Sequence, residues 1–167
     1  MFSTIQAFEY QWSMEIESTQ KILKHLTDKA LAQAVAPGYR TLGRLAWHIT
    51  QTIPEMGGKT GLTITGPAET EPVPASAKEI FRRYNEAAIS LLEQVKAQWT
   101  DATLQEHDEM YGQKWKRGFT LSSLIHHQIH HRGQMTVLMR QAGLEVPGLY
   151  GPSRPEWARW GMPEPPI

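Results

Sequence analysis

The sequence predicts an all-α protein, a single four-helix bundle domain spanning residues 1–167. Apolar residues recur every three or four positions in four long segments, which is the spacing of one face of an α-helix. Strand-like alternation is confined to one short segment before the last helix. Four amphipathic helices bury their apolar faces against one another, so the pattern favours a bundle.

The first predicted helix covers residues 3–26. A short helix is expected over residues 27–35, ended by Pro37 and Gly38. The second long helix is expected to begin at Thr41, whose hydroxyl can cap free backbone amides. Pro54 follows the apolar stripe of this helix. Residues 57–75, rich in glycine, proline and threonine, are predicted to form a surface loop.

The third helix is predicted to begin at Ser76, which forms a capping box with Glu79, and to run to about Trp99. A small hairpin turning at Gly112 is expected within residues 103–118. The fourth helix is expected from Thr120 to residue 142, before a glycine that can end it.

The segment after the fourth helix is a C-terminal tail rich in proline and tryptophan. We expect it to pack back on the bundle, with a short helix near residues 155–160. Its apolar side chains include Leu149, Tyr150, Trp157 and Trp160.

The composition argues against a nucleic-acid-binding protein and against a membrane-spanning one. The formal net charge is zero, which argues against nucleic-acid binding, and no apolar run approaches the ~20 residues that span a bilayer. We therefore expect a cytoplasmic protein that binds neither nucleic acid nor membrane. Cysteine is absent, so any metal site must use histidine, carboxylate or water, and no thiolate nucleophile is available.

Four of the seven histidines lie within residues 126–131. Because each helical residue turns about 100° from the last, His127 and His131 are predicted on the flank of the apolar face. His126 and His130 are predicted to point toward solvent. An i, i+4 histidine pair can bind one metal ion, although such pairs are solvent-exposed surface residues about as often as they are metal ligands.

A catalytic metal site usually takes three protein ligands and keeps a position for water. His48, at the edge of the second helix's apolar stripe, is the best third ligand, although a lone histidine there is more often half-buried and hydrogen-bonded. His25 and His107 are expected to be solvated.

The sequence resembles the DinB/YfiT superfamily in three places: PGYRTLGRLAWHI around His48, HxxxHRGQ from His127 to Gln134, and LMRQAGLEVPGLYGPS after the fourth helix. The resemblance runs from the first helix to about Ser153. It implies an up-down-down-up bundle, a divalent metal ion, usually zinc or nickel, bound by His48, His127 and His131, and a homodimer. Some related bundles transfer low-molecular-weight thiols to electrophiles.

The leading functional hypothesis is therefore a metal-dependent S-transferase in which a small thiol enters as a co-substrate. One alternative is a hydrolase that uses metal-bound hydroxide, with Glu55 as a candidate base. The other is a non-enzymatic metal-binding protein of stress response or interaction, whose site should be coordinatively closed.

Three further residues belong to the HxxxHRGQ motif. Arg132 points near the core, so we expect it to pair with a carboxylate or with carbonyls across the bundle. Gln134 is expected to hydrogen-bond a loop. Gly133 is expected to let another helix approach closely.

Overall fold

A computed structural model of the protein describes residues 1–164 and residue 166. Four long helices account for most of the chain, with a two-stranded hairpin before the last of them and a short helix in the C-terminal tail. The elements are α1 Ile5–Lys24, α2 Leu42–Gly58, α3 Ala77–Gln98, β1 His107–Met110, β2 Gln113–Lys116, α4 Arg117–Gln141 and α5 Arg154–Arg159. Two short 3₁₀ helices, Asp28–Ala32 and Thr103–Gln105, lie in the connections.

Helices α1 and α3 run in opposite directions. Near the start of α1, Glu9 pairs with Lys96 at the end of α3. Further along α1, the indole nitrogen of Trp12 donates to the carbonyl of Ala88 over 3.0 Å. The residue numbers of contacting residues therefore rise along α1 while they fall along α3.

Helices α2 and α3 run in the same direction. The guanidinium of Arg83 lies 5.8 Å from the ring of Trp47, and a Cβ on Gly57 would lie 3.4 Å from Leu91. The residue numbers of contacting residues therefore rise together along α2 and α3. The absence of a side chain at Gly57 also lets the following loop pack closely, because Ile64 would lie 2.7 Å from that Cβ.

Helices α1 and α4 also run in the same direction. The amide of Phe2 donates to the carbonyl of Gly118 over 3.0 Å, and Thr19 contacts Gln128 over 3.4 Å. With the two preceding pairs, this gives the order up, down, down, up for α1 to α4. The predicted fold class is confirmed.

The helix starts follow the predicted caps in two cases out of three. The Thr41 and Ser76 hydroxyls accept from backbone amides three residues on, over 3.1 and 3.4 Å. The predicted start of the last helix at Thr120 is wrong, because α4 begins at Arg117. Strand β2 leads directly into α4, and the Thr120 hydroxyl donates to the Lys116 carbonyl instead of capping the helix.

The hairpin turns through Tyr111 and Gly112, as the glycine predicts. Both residues have positive φ, 52° and 75°, the pattern of a type I′ turn whose twist suits a two-residue hairpin. A bulky residue in this left-handed region costs roughly 1–2 kcal/mol. The strained turn holds the Tyr111 ring outside the bundle, where 57% of the residue is exposed.

The tail packs back on the bundle in part. Gly143 ends α4 with φ 72°, Val146 is buried, and Leu149 packs against the core. Trp160 is 63% exposed, so its ring adds little to that packing. Within the described residues, no helix has both the length and the apolar character needed to cross a membrane.

Candidate metal centre

Helices α2 and α4 bring the three predicted ligands together. One ring nitrogen from each of His48, His127 and His131 lies within 4.8 Å of the others. The Nε2 atoms of His48 and His127 are 3.1 Å apart. The three ring centroids are separated by 4.4 to 4.8 Å, and each pair of rings meets edge to face.

This geometry fits a single ion. Zinc binds histidine nitrogen at roughly 2.0–2.1 Å, so two nitrogens on one tetrahedral ion lie about 3.3 Å apart. The His48–His127 distance of 3.1 Å is close to that value. In the part of the chain that the structure describes, the group contains three histidines and no carboxylate, which leaves at least one coordination position for another ligand.

The protonation state of the three rings also suits metal binding. Burial lowers the pKa of His48 to about 3 and of His127 to about 4, and it lowers the pKa of His131 as well. The positive charge of Arg40 adds to the effect on all three rings. The imidazoles are therefore neutral at pH 7, the form that metal ions bind.

Gln134 orients one ligand. Its Oε1 accepts a hydrogen bond from Nδ1 of His131 over 2.7 Å, which leaves Nε2 of His131 free to face the other two rings. The expectation that Gln134 bonds a loop is wrong, since its amide nitrogen contacts the His130 ring at 3.1 Å. By contrast, Nδ1 of His127 is buried with no partner among the described residues.

The other four histidines are exposed, as predicted. His126 and His130 are exposed on the outer side of α4, and His25 and His107 are exposed elsewhere. The His130 ring still contacts the back of the His131 ring, with centroids 4.9 Å apart. His130 therefore borders the triad without facing into it.

A buried polar network fixes α4 next to the triad. Arg132, 1% exposed, forms an ion pair with Glu15 of α1 and donates to the Thr19 hydroxyl over 2.9 Å. The Tyr150 hydroxyl, from the tail, donates to the same carboxylate over 2.8 Å. The expectation that Arg132 pairs across the bundle is confirmed.

A cavity of about 590 Å³ opens beside the triad, within the range of small-molecule sites. Helix α2 continues through Pro54, so Glu55 reaches the cavity, where it accepts from the Tyr111 hydroxyl over 2.8 Å and pairs with Lys59 at 3.6 Å. The lining residues are Arg40, Arg44, His48, Gln51, Thr52, Glu55, Met56, Glu69, Tyr111, Trp115, Ser123 and His127.

Two lining residues of α2, Arg44 and Gln51, escaped the sequence reasoning. Together with His48 and Glu55 they are spaced by four, three and four, which places all four on one face of α2. That spacing is a signal that the sequence offered once His48 was singled out. Tyr111 could not be found in this way, because only the hairpin packing brings it to the cavity mouth.

An up-down-down-up bundle with three histidines on two facing helices defines a class of helical proteins with a candidate metal site between α2 and α4. The model of the family described as "DinB family" matches residues 1–164. The chain belongs to the DinB family.

Similar proteins agree with this assignment. "Uncharacterized protein YrdA" of Bacillus subtilis (strain 168) is 48% identical over 165 residues, 99% of each chain. The crystal structure of a DinB-like protein from Bacillus cereus ATCC 10987 is 48% identical, with a TM-score of 0.87 over 90% of this chain and 100% of that one. The DinB-like protein YjoA of Bacillus subtilis, 17% identical, shares the fold with a TM-score of 0.69 over 88% of this chain and 99% of that one.

Proposed function

We propose that the protein binds one divalent ion, zinc or nickel, through His48, His127 and His131, and that it transfers a small thiol to an electrophile. The observation that supports this most is the triad itself: three neutral imidazoles converge beside a cavity of about 590 Å³. Three protein ligands with room for more are typical of catalytic sites.

The thiol must enter as a co-substrate, because the chain contains no cysteine. A divalent ion supplies Lewis acidity, which favours the thiolate over the thiol as the reactive form. The sulfur of the thiolate bonds to the electrophilic carbon, the leaving group departs with the bonding pair, and the thiol proton passes to solvent. The chain's own part is to hold the triad in register, with Gln134 fixing the His131 ring.

A hydrolase is the second candidate, since Glu55 lines the same cavity as His48. Glu55 is, however, already engaged by the Tyr111 hydroxyl and by Lys59. A general base must reach the proton of an attacking water, and these contacts compete with that role. Metal-dependent turnover of ester or amide substrates that is lost in Glu55→Gln would favour the hydrolase.

A non-enzymatic metal-binding protein is the third candidate. A structural site should be closed by four protein ligands. The described residues provide three histidines at the triad and a cavity that reaches two of them. This arrangement favours an exchangeable ligand over a closed site.

The test is thiol consumption by purified protein loaded with zinc or with nickel. Mercaptoethanol, cysteamine and glutathione are each offered with the fluorogenic electrophile monochlorobimane, and the rate is compared with that of His127→Ala. We expect acceleration with the wild-type protein only. If no thiol reacts faster with either metal than with the variant, the transferase proposal fails.

The proposal also covers the oligomeric state, the cellular location and the partners of the protein. We propose a cytoplasmic homodimer that acts on small molecules and binds neither nucleic acid nor membrane. Sedimentation velocity measures the dimer, and the formal net charge of zero supports the lack of nucleic-acid binding.

A further inference from the structure

Two arginines line the cavity beside the triad without a counter-charge of their own. Arg40 is exposed just before α2, and Arg44 is half-buried in its first turn. Across residues 1–164 and 166, neither arginine forms an ion pair with a carboxylate. An arginine beside a cavity is a strong binder of carboxylates, because its planar fork matches two oxygens.

Arg44 is held in place toward the cavity. Its Nη2 donates to Oε1 of Gln51 over 2.7 Å. The amide nitrogen of Gln51, a residue only 2% exposed, donates in turn to the backbone carbonyls of Ala68, Glu69 and Glu71 over 2.7 to 3.1 Å. A fixed guanidinium loses little side-chain entropy when it binds a ligand.

The charges at this end of the cavity favour an anion. The triad itself contributes no negative charge, since its three ligands are neutral imidazoles. Of the two carboxylates that line the cavity, Glu55 pairs with Lys59, which leaves Glu69. With a divalent ion in place, the positive charges of the ion, Arg40 and Arg44 exceed that single carboxylate. The remaining net positive charge favours the binding of an organic carboxylate.

Apolar side chains also line the cavity, towards the end of α2, where they adjoin the Tyr111–Glu55 hydrogen bond. The Trp115 ring meets Tyr111 and Phe119 edge to face, with centroids 5.8 and 4.9 Å away. Met56, 4% exposed, lines the same cavity and follows Glu55, the partner of the Tyr111 hydroxyl. Aromatic and thioether groups of this kind pack well against an apolar ligand body.

We infer that the cavity binds a small organic carboxylate, with the carboxylate group at Arg40 and Arg44 and an apolar body against Trp115 and Met56. This inference rests on the proposed function, because it assigns a substrate class to the same cavity. The carboxylate belongs either to the thiol or to the electrophile, and a comparison of thiols with and without a carboxylate distinguishes the two.

The experiment measures binding by calorimetry to the zinc-loaded full-length protein. Three probes of matched shape are phenylacetate, its neutral amide phenylacetamide, and the cation phenethylamine. We expect phenylacetate to bind about tenfold or more tightly than phenylacetamide, since only its carboxylate forms charge-assisted hydrogen bonds with arginine, and phenethylamine to bind least. Arg40→Gln/Arg44→Gln should reduce that preference by about tenfold or more. Arg82→Gln, on the outer face of α3, is the matched control and should keep it.

Three results would overturn the inference: no preference in the wild type, a preference that the double variant retains in full, or an equal loss in the control. Elemental analysis and circular dichroism of each variant exclude metal loss or unfolding, and Arg40→Gln alone, at an exposed position, serves if the double variant does not fold. Phenylacetate contains no thiol, so its binding fails or succeeds independently of thiol transfer. Comparing mercaptoacetate with mercaptoethanol against one neutral electrophile then assigns the carboxylate to the thiol if the former reacts faster, and to the electrophile if the rates are equal.

Discussion

The imidazoles of His48 and His127, seventy-nine positions apart in the chain, face each other with their Nε2 atoms 3.1 Å apart. Two neutral rings at this distance either share one hydrogen bond or share one metal ion. The centroid of a third ring, that of His131, lies 4.8 Å from the centroid of His48, which supports the proposed shared ion.

Loss of any triad residue should abolish tight metal binding. His48→Ala, His127→Ala or His131→Ala each removes one of three ligands, and the loss should exceed the roughly 10–100-fold that removal of an outer hydrogen-bond partner causes. Elemental analysis after dialysis, together with calorimetry, measures it. His126→Ala and His130→Ala, at exposed positions on the same helix, are the matched controls and should keep the metal. Comparable loss in both sets would contradict the assignment.

Gln134→Ala should weaken metal binding by roughly 10–100-fold while leaving the fold intact, because Gln134 only orients the His131 ring. Gln134→Glu should restore or raise the affinity, since a carboxylate accepts the same hydrogen bond more strongly. Gln141→Ala, at an exposed position later in α4, is the control. Equal affinities of Gln134→Ala and wild type would show that His131 needs no such partner.

Acid should destabilise the metal-free protein between about pH 6.5 and 4. The folded-state pKa of His48 is about 3 and that of His127 about 4, both below the ordinary value of 6.5. Between pH 6.5 and about 4 the unfolded chain therefore takes up protons that the folded chain does not. The free energy of unfolding must fall as the pH falls through this window.

Urea unfolding of metal-free protein at a series of pH values measures that slope. His48→Gln removes one of the shifted groups and should make the slope shallower, whereas His25→Gln, at an exposed position, should not. A slope as steep in His48→Gln as in wild type would assign the pH dependence to other groups.

Removing only one partner of the buried Arg132–Glu15 ion pair should lower the free energy of unfolding more than removing both partners. Arg132→Met leaves a buried, unpaired carboxylate and should reduce the free energy of unfolding by about 3–5 kcal/mol. Adding Glu15→Leu removes that charge and should recover much of the loss. Chemical denaturation of the two single variants and the double variant gives the coupling energy. Strict additivity would mean that the two side chains do not interact.

Gly133→Ala should stabilise the protein by roughly 0.5–1 kcal/mol, because glycine costs that much in a helix. The expectation that Gly133 admits a neighbouring helix is wrong, since nothing lies within 4 Å of a Cβ built there. Gly118→Ala is the contrasting variant, as its Cβ would lie 2.1 Å from the carbonyl oxygen of Phe2. Thermal unfolding should shift upward in the first variant and downward in the second.

Local pattern was enough to predict most of the bundle. Period-3.6 stripes indicated the four helices, and the Thr41 and Ser76 caps located two of their starts, because caps and stripes depend on residues three or four positions apart. The start of α4 was misplaced. Strand β2 delivers the chain directly into that helix at Arg117, so no capping side chain was needed to mark it.

The sequence by itself determined which face of α4 each histidine occupies, since the i, i+4 spacing separates His127 and His131 from His126 and His130. Only the tertiary structure decided that His48 meets that pair, that Gln134 turns back to His131, and that Arg40, Arg44 and Trp115 share one cavity. These are contacts between elements distant in the chain. They depend on the packing of α2 against α4 and on the path of the hairpin, which no local periodicity encodes.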